Sequence, residues 1–449
     1  MRVFDDMNYF AIWRFSQRYP LDGVSMRPIL LAAAAWAITG PAIAQDQNQL
    51  QVQLGTPEQD APYATPAVVN HPVVIGWPEN RTPRAPRGWE VVKFAGKLEN
   101  PRQILELPNG DILVSEARQL PKLDADPEAA RGFARSNVTG YSANRITLLR
   151  DTDRDGVADQ RFVLIENLNQ PFGMVLTGGR LYVANTDAVV SYPFKPGETQ
   201  ISAAPRKLID LPAGGYNNHW TRNLQLSADG RTLFVSVGSA SNVGEYGMDE
   251  ENRRAAILAV DLATGRERIY ASGLRNPVGM GVTANGTLWT AVNERDDFGD
   301  NISPDYVTSV REGGFYGWPY SYWGKQDPRH ANTKRELLKT TILPDIAVGP
   351  HASALGLSFS RPEGGRQLAY VARHGSWNRA DMSGYDVQVI PFADGKPAGN
   401  PQSFLTGFIA DRQAGTAYGR PVSTRTRADG SVFVVDDNGN TVWLARRAR

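Results

Sequence analysis

From about residue 88 onward, short apolar runs alternate with glycine turns, and the alternation has a long period. Each unit starts at a polar residue beside a proline, glycine or aromatic. It runs through a short strand, turns at a glycine and returns as an apolar strand. Asn100-Pro101 leads through RQILEL to Asn109-Gly110 and DILVSE, and Gln170-Pro171 through FGMVL to Gly178-Gly179 and RLYVAN. His219-Trp220 leads through TRNLQL to Asp229-Gly230 and RTLFVSVG, and Asn276-Pro277 through VGMGV to Asn285-Gly286 and TLWTAV. His351 leads through ASALGLSFS to Gly364-Gly365 and RQLAYVA, and Arg420-Pro421 through VSTRTR to Asp429-Gly430 and SVFVVDD. Asn-Gly, Asp-Gly and Gly-Gly are the pairs that supply positive φ in two-residue hairpins.

A second hairpin often follows inside the unit, as in ITLLRDTDRDGVADQRFVLI, AAILAVDLATGRERIYASG and YDVQVIPFADG. Two hairpins make a four-stranded antiparallel sheet. Six such units predict an all-β fold, a six-bladed β-propeller of four-stranded blades spanning residues 88–449. An α/β fold would need amphipathic helices between the strands, and none of convincing length is visible. In a propeller the inner strands line a central channel, and the residues that lead into them gather at one mouth. Those residues are Asn100, Arg102, Gln170, Asn218, His219, Arg222, Arg275, Asn276, His351 and Arg420. The set contains no acidic member. Such a ring suits a planar polyanion held by arginine forks. His219 is the leading candidate for a general base, ahead of His351 and His374.

Composition narrows the chemistry. Cysteine is absent, which excludes disulfides, thiolate zinc sites, iron–sulfur clusters and covalently attached c-type haem. Lys+Arg 48 against Asp+Glu 47 leaves no basic excess for nucleic acid. The one long apolar run, Pro28 to Ala44, is shorter than a bilayer span and ends in Ala42-Ile43-Ala44. Residues 1–44 are read as a secretory signal peptide cleaved near Ala44, with Met26 a more natural start than Met1. Periplasmic or secreted placement follows, with no transmembrane span. Residues 45–87, rich in Gln and then Pro, read as an extended arm in which His71 is a bystander.

Two acidic stretches suggest hard cations. Asp151, Asp153, Asp155 and Asp159 take positions 1, 3, 5 and 9 of a calcium loop, with Gly156 at 6 and the Val157 carbonyl at 7. Phe162 stands where the bidentate Glu would be, so a solvated hairpin tip is the competing reading. The run Asn293–Asn301 is also dense in oxygen ligands. The GMGVTA stretch at Gly279 fits a relaxed dinucleotide fingerprint, but a turn and a strand follow it instead of a helix, which excludes that reading. Tyr316, Trp318, Tyr320, Tyr322 and Trp323 form either a sugar-stacking wall or core.

GLRNPVG, NERDDFGDN, GGFYGWP, NNHW, HASALG and RHGSWNR together resemble the glucose/sorbosone dehydrogenase family over roughly residues 88–445. RHGSWNR and HASALG are the stretches most similar to its sorbosone branch. The resemblance implies a soluble dehydrogenase that uses pyrroloquinoline quinone (PQQ) and Ca2+ to oxidise a sugar or sugar aldehyde at C1. It implies His219 as the base, Arg275 beside the reactive carbonyl, and Gln170, Asn276 and Arg420 at the cofactor. It also implies the loop of Glu294, Arg295 and Asp296 around the cofactor's calcium. The family's Arg two positions before Arg420 is Tyr418 here, and its Lys falls where Arg373 or Arg379 stands. With no haem motif, a separate electron acceptor, a quinone or a cytochrome, is expected. The competing readings are a calcium-dependent propeller lactonase and a non-catalytic binding propeller.

Overall fold

A computed structural model describes residues 49–121, 127–333 and 335–448. The signal-peptide reading at 1–44 lies outside the described residues. The chain is nearly all β. Its six largest sheets follow one another in sequence.

The first sheet joins Pro101–Glu106, Ile112–Glu116, Arg145–Arg150 and Gln160–Ile165, and the second joins Met174–Thr177, Arg180–Ala184, Ala188–Pro193 and Arg206–Asp210. The third joins Arg222–Leu226, Thr232–Val237, Ala256–Asp261 and Glu267–Ser272; the fourth joins Pro277–Val282, Leu288–Val292, Pro304–Ser309 and Ile346–Pro350. In the fifth, Ala354–Phe359, Arg366–Arg373 and Asp386–Ala393 are followed by two short strands that both pair with the last. In the sixth, Pro421–Thr426, Val432–Asp436 and Thr441–Arg447 are completed by Trp89–Ala95, with Trp89 opposite Arg447. The strand count departs from a uniform four. The third sheet gains Gly314–Phe315 in parallel, and the fourth gains Val52–Leu54.

The first strands of the six sheets touch in order, and the sixth returns to the first, so they close a circuit. Apolar layers fill the space between consecutive sheets. Leu148 and Leu181 belong to the layer between the first two, and Trp289, Leu357 and Ala369 to the layer between the fourth and fifth. Ile112–Glu116 is buried along its whole length, while Glu267–Ser272, the fourth strand of the third sheet, is exposed over its first three residues. Burial on both faces accounts for the continuous apolar runs in the sequence. A Cβ on Gly279 would lie 2.6 Å from the Leu357 backbone nitrogen. The glycines of GMGV therefore allow neighbouring first strands to approach closely.

The turns differ from the expected two-residue hairpins at four of six places. Gly178-Gly179 and Gly364-Gly365 have positive φ at both residues, as expected. At Asn109, Asp229, Asn285 and Asp429 only the following glycine does. There the Asn or Asp side chain accepts from the backbone two residues on, as in Ser431 N to Asp429 Oδ1 at 2.9 Å. That bond holds the residue in a right-handed turn and leaves one left-handed position for the glycine.

Residues 49–87 run along the sheets. Val73–Val74 pairs in parallel with Thr416–Ala417, and the Trp77 indole donates to Asp436 Oδ2 at 2.6 Å. His71 stacks on Trp377 at 5.3 Å.

Candidate active site

His219 sits just before the first strand of the third sheet, and its ring state can be read from its partners. Nδ1 lies 2.9 Å from both the carbonyl oxygen and Oγ of Ser239. The Ser239 hydroxyl spends its one proton on the Ser241 carbonyl at 2.6 Å. Both oxygens facing Nδ1 therefore accept, and Nδ1 carries the proton. In the neutral ring the lone pair is on Nε2. The loop behind is pinned by Glu251, which accepts from Ala240 N at 2.8 Å and Ser241 N at 3.0 Å. Buried Arg222 donates to the His219 carbonyl at 2.6 Å and to Asn217 Oδ1 at 2.8 Å. Asn276 is buried, and its Oδ1 has no hydrogen-bond partner. That oxygen and the His219 Cβ both crowd the point where a Cβ on Gly238 would be.

Arg275 is buried and fully used. It donates to the carbonyls of Asn242 at 3.1 Å and Glu294 at 2.5 Å, and to Asp296 Oδ2 at 2.8 Å. Asp296 also meets His351 Nδ1 at 3.4 Å, while His351 Nε2 lies 2.9 Å from the Gly299 carbonyl. Burial opposes the charge on Asp296, but Arg275 and His351 outweigh it and hold its pKa low. Burial likewise opposes the His351 cation, and Asp296 outweighs it and raises the His351 pKa. This is a neutralised, saturated framework.

The loop expected to hold calcium is committed in the same way. Arg295 is fully buried between Glu294 Oε2 at 2.9 Å and Asp327 Oδ2 at 2.7 Å. The carbonyls of Glu294 and Asp296 already accept from Arg275 and Asn242. The loop's carboxylates are thus taken by guanidiniums, while each carbonyl keeps a lone pair through which the expected cation could be held. Phe298 is buried and packs against Tyr63 and Tyr322, so the run is not a solvated acidic loop.

Where the sixth, first and second sheets meet, the balance is different. Arg102 bonds Asp437 and lies over the rings of Phe172 and Trp220. His374 Nε2 meets the other oxygen of Asp437 at 2.8 Å. Arg420 donates to the carbonyls of His374 and Gly375. Gln170 donates from Nε2 to the Arg118 carbonyl at 2.9 Å. Burial lowers the Arg102 pKa; Asp437 opposes this, and Arg420 and Arg118 add to it. Burial and then Arg420 push His374 down to about 4. The Nε atoms of Arg102 and Arg118 are buried with no acceptor. Arg102 bonds Asp437, Arg118 and Arg420 feel its charge, and two of the three guanidiniums carry an unmet Nε, a donor set that fits a polycarboxylate ligand.

The expectation of an acid-free ring is corrected, because Asp437 and Asp296 both enter it. They come from segments just after the second strand of a sheet, as do Arg118, Ser239, Glu294 and His374. The missed residues Ser239, Arg118 and Asp437 share that register, and it is the signal that could have found them. Neither arginine proposed near the cofactor is available to it. Arg373 is spent on Asp386, at 2.6 Å from Nε, and on the Val348 carbonyl. Arg379 is spent on the carbonyls of Asp300 and Asp381 and on Asn301 Oδ1. Tyr316, Trp318, Tyr322 and Trp323 are buried, so at least four of the five wall candidates are core. Tyr418 keeps a hydroxyl bond to Arg81.

At the 151–159 hairpin, ligand atoms of Asp151, Asp153 and Asp159 lie within 4.8 Å of one another. Asp151 Oδ1 has no partner. Asp155 is not in this group. Its carboxylate caps Val157 N at 2.7 Å. Among the described residues this is the only group of three or more acidic or histidine side chains close enough to share an ion.

The TrAA12-like family model matches residues 134–311 and 321–448, more than half of the chain. The chain belongs to the TrAA12-like family. A PQQ-dependent pyranose dehydrogenase of Coprinopsis cinerea is 24% identical over 80% of this chain, and this chain spans only 54% of that protein. An uncharacterized protein of Borreliella burgdorferi is 28% identical over 63% of this chain and 77% of its own length. Among solved structures, the PQQ domain of the Coprinopsis enzyme in holo form has a TM-score of 0.67 at 21% identity, covering 83% of this chain and 99% of that one. The PQQ-bound aldose sugar dehydrogenase of Streptomyces coelicolor has a TM-score of 0.54 at 16% identity, covering 81% and 99%. These likenesses establish a shared fold.

Proposed function

We propose that this TrAA12-like protein is a PQQ-dependent dehydrogenase that oxidises a sugar at C1, and that its six sheets are the blades of a six-bladed β-propeller. The observation that carries the reading is the Arg102–Arg118–Arg420 cluster, with two buried unmet donors, together with a histidine whose Nε2 is the basic atom. Relatives that bear PQQ and pyranose or aldose in their names support it.

Arg102, Arg118, Arg420 and Gln170 would hold the quinone's carboxylates, and Asn276 would face it beside His219. When bound, PQQ supplies an electrophilic carbonyl that accepts a hydride. His219 Nε2 takes the proton of the sugar C1 hydroxyl, and Nδ1–H keeps the ring oriented on the Ser239 carbonyl. Arg275 acts through the loop it holds, as a positioning residue. Its bonds commit it to that loop and not to the reactive carbonyl beside which the resemblance implied it. No step is assigned to calcium. A structural cation at Asp151, Asp153 and Asp159 is proposed separately, on the strength of their convergence. The electrons leave to a separate quinone or cytochrome acceptor. Export before function is proposed from the apolar run Pro28–Ala44 and the cysteine-free composition. Among the described residues no helix is long and apolar enough to cross a membrane.

The test is to titrate PQQ into the metal-stripped protein, follow the quinone absorbance, and then follow dye reduction with aldoses, pyranoses and sorbosone. A saturable spectral change with sugar-dependent dye reduction is expected, and the substrate ranking separates a pyranose enzyme from a sorbosone enzyme. No spectral change and no dye reduction would overturn the proposal.

A further inference from the structure

The first strands of the six sheets begin at the mouth that holds His219 and Arg420, and along their later residues they line a second space. Arg425 stands five positions along its strand from Arg420, roughly 16 Å away at the rise of an extended chain. There all six first strands contribute to a cavity of about 710 Å³. Its charged lining is one-sided, with Arg361, Arg425 and Arg427 against Glu106 alone. Arg427 already claims that carboxylate, at 2.9 Å from Nε to Oε1. Arg425 makes no hydrogen bond or ion pair among the described residues. Its side chain is exposed to the cavity, yet protein surrounds it closely enough that burial lowers its pKa, with the charge of Glu106 opposing that. An enclosed guanidinium is thus left without a counter-charge of its own.

Much of the uncharged polar lining is already paired. Gln367 accepts from Ala284 N at 2.8 Å and donates to the Ser360 carbonyl at 2.9 Å. The hydroxyls of Ser358 and Thr424 bond one another at 2.9 Å, and Asn223 donates to the Val278 carbonyl at 2.7 Å. Leu105, Leu176, Leu226 and Phe359, by contrast, line the cavity half-buried. A sugar acid would bring hydroxyls that find few free partners on such a wall. An inorganic anion would leave most of the volume, and all of the apolar surface, to water. A carboxylate with a short hydrocarbon body meets both parts of the lining, the guanidinium fork with its head and the leucine and phenylalanine side chains with its body.

From this we infer that the cavity at the far end of the first strands is a second binding site, for a small carboxylate with an apolar body, whose carboxylate Arg425 holds. The site lies outside the proposed oxidation chemistry and does not depend on it. Saturation-transfer NMR on the protein without cofactor tests it, with hexanoate and benzoate as probes and gluconate and the uncharged hexanamide beside them. Hexanoate and benzoate should show contact in the wild type, and their affinity should fall by ~10-fold or more in Arg425→Gln. That variant should melt at or above the wild-type temperature, because it removes an enclosed charge that has no partner. Arg118→Ala should bind hexanoate as the wild type does, and saturating PQQ should not displace it, which separates this site from the guanidinium cluster at the mouth. Hexanoate contact that is absent from the wild type, survives Arg425→Gln or is displaced by PQQ overturns the site. Equal binding of gluconate or hexanamide, or displacement by equimolar phosphate, overturns the assignment of an apolar carboxylate.

Discussion

The two sides of the mouth are built from the same residue types in opposite states. On one side Arg275, Asp296, His351 and the loop at Glu294 form a closed set, in which each charge meets an opposite charge. On the other, Arg102, Arg118 and Arg420 share Asp437 and leave two guanidinium nitrogens unmet. The first arrangement rigidifies, because a saturated buried network has one good geometry. The second stores mutual repulsion that an anion relieves. Arginine content alone therefore does not separate the two sets; the two unmet nitrogens beside a shared carboxylate do.

The largest expected effect is chemical. His219→Ala should lower kcat by at least ~10²-fold with the quinone still bound by absorbance, and full activity would remove His219 from the base role. Next comes a contrast between the two sides. Arg275→Ala strands Asp296 and should cost about 3–5 kcal/mol in urea unfolding. Arg118→Ala should leave stability within about 1 kcal/mol but weaken PQQ binding by ~10-fold or more. Equal effects in both assays would erase the distinction.

A smaller effect concerns protons. His374 has a folded pKa of about 4, below an unfolded value near 6.5, so the unfolded state binds the extra proton. Its contribution to stability is whole above pH 6.5 and is lost as pH falls toward 4. Burial pushes Asp436 up to about 6, which acts oppositely in the same range, so imidazole NMR resolves His374 better than melting does. Adding PQQ should move the His374 titration upward by offsetting Arg420, and a fixed titration would place the anion elsewhere. The smallest effect is expected at the hairpin. Calcium should raise the melting temperature by a few degrees, Asp151→Ala should abolish that rise, and turnover by the loaded enzyme should stay the same in both proteins.

The sheets were legible because the chain repeats an internal rule. Each unit carries its own turn residue, and each first strand is announced by a polar residue beside a proline, glycine or aromatic. Trp89–Ala95 was not legible as the partner of Thr441–Arg447, nor was Val52–Leu54 as an added strand, because nothing local specifies a partner hundreds of residues away. The same holds at the site. His219, Arg275, Asn276 and Arg420 announce themselves at strand starts. Ser239, Arg118 and Asp437 follow second strands, and they become candidates only when the sheets are set side by side. Arg373 misled because a guanidinium looks the same in sequence whether it waits for a ligand or, as here, grips Asp386.

The sixth sheet ties the two ends of the described fold together, with Arg446 bonded to Glu90 356 positions earlier. No earlier segment can stand in for the last strand. While the chain is being made, the ring is an open arc with two unpaired sheet edges and an unfilled apolar layer, and it stays so until residue 447 is available. Closure is therefore a late, long-range event of the kind that folds slowly. An unfinished arc is also the form of this chain most exposed to aggregation. A cell making it has reason to keep it unfolded, or chaperoned, until its final strand is free.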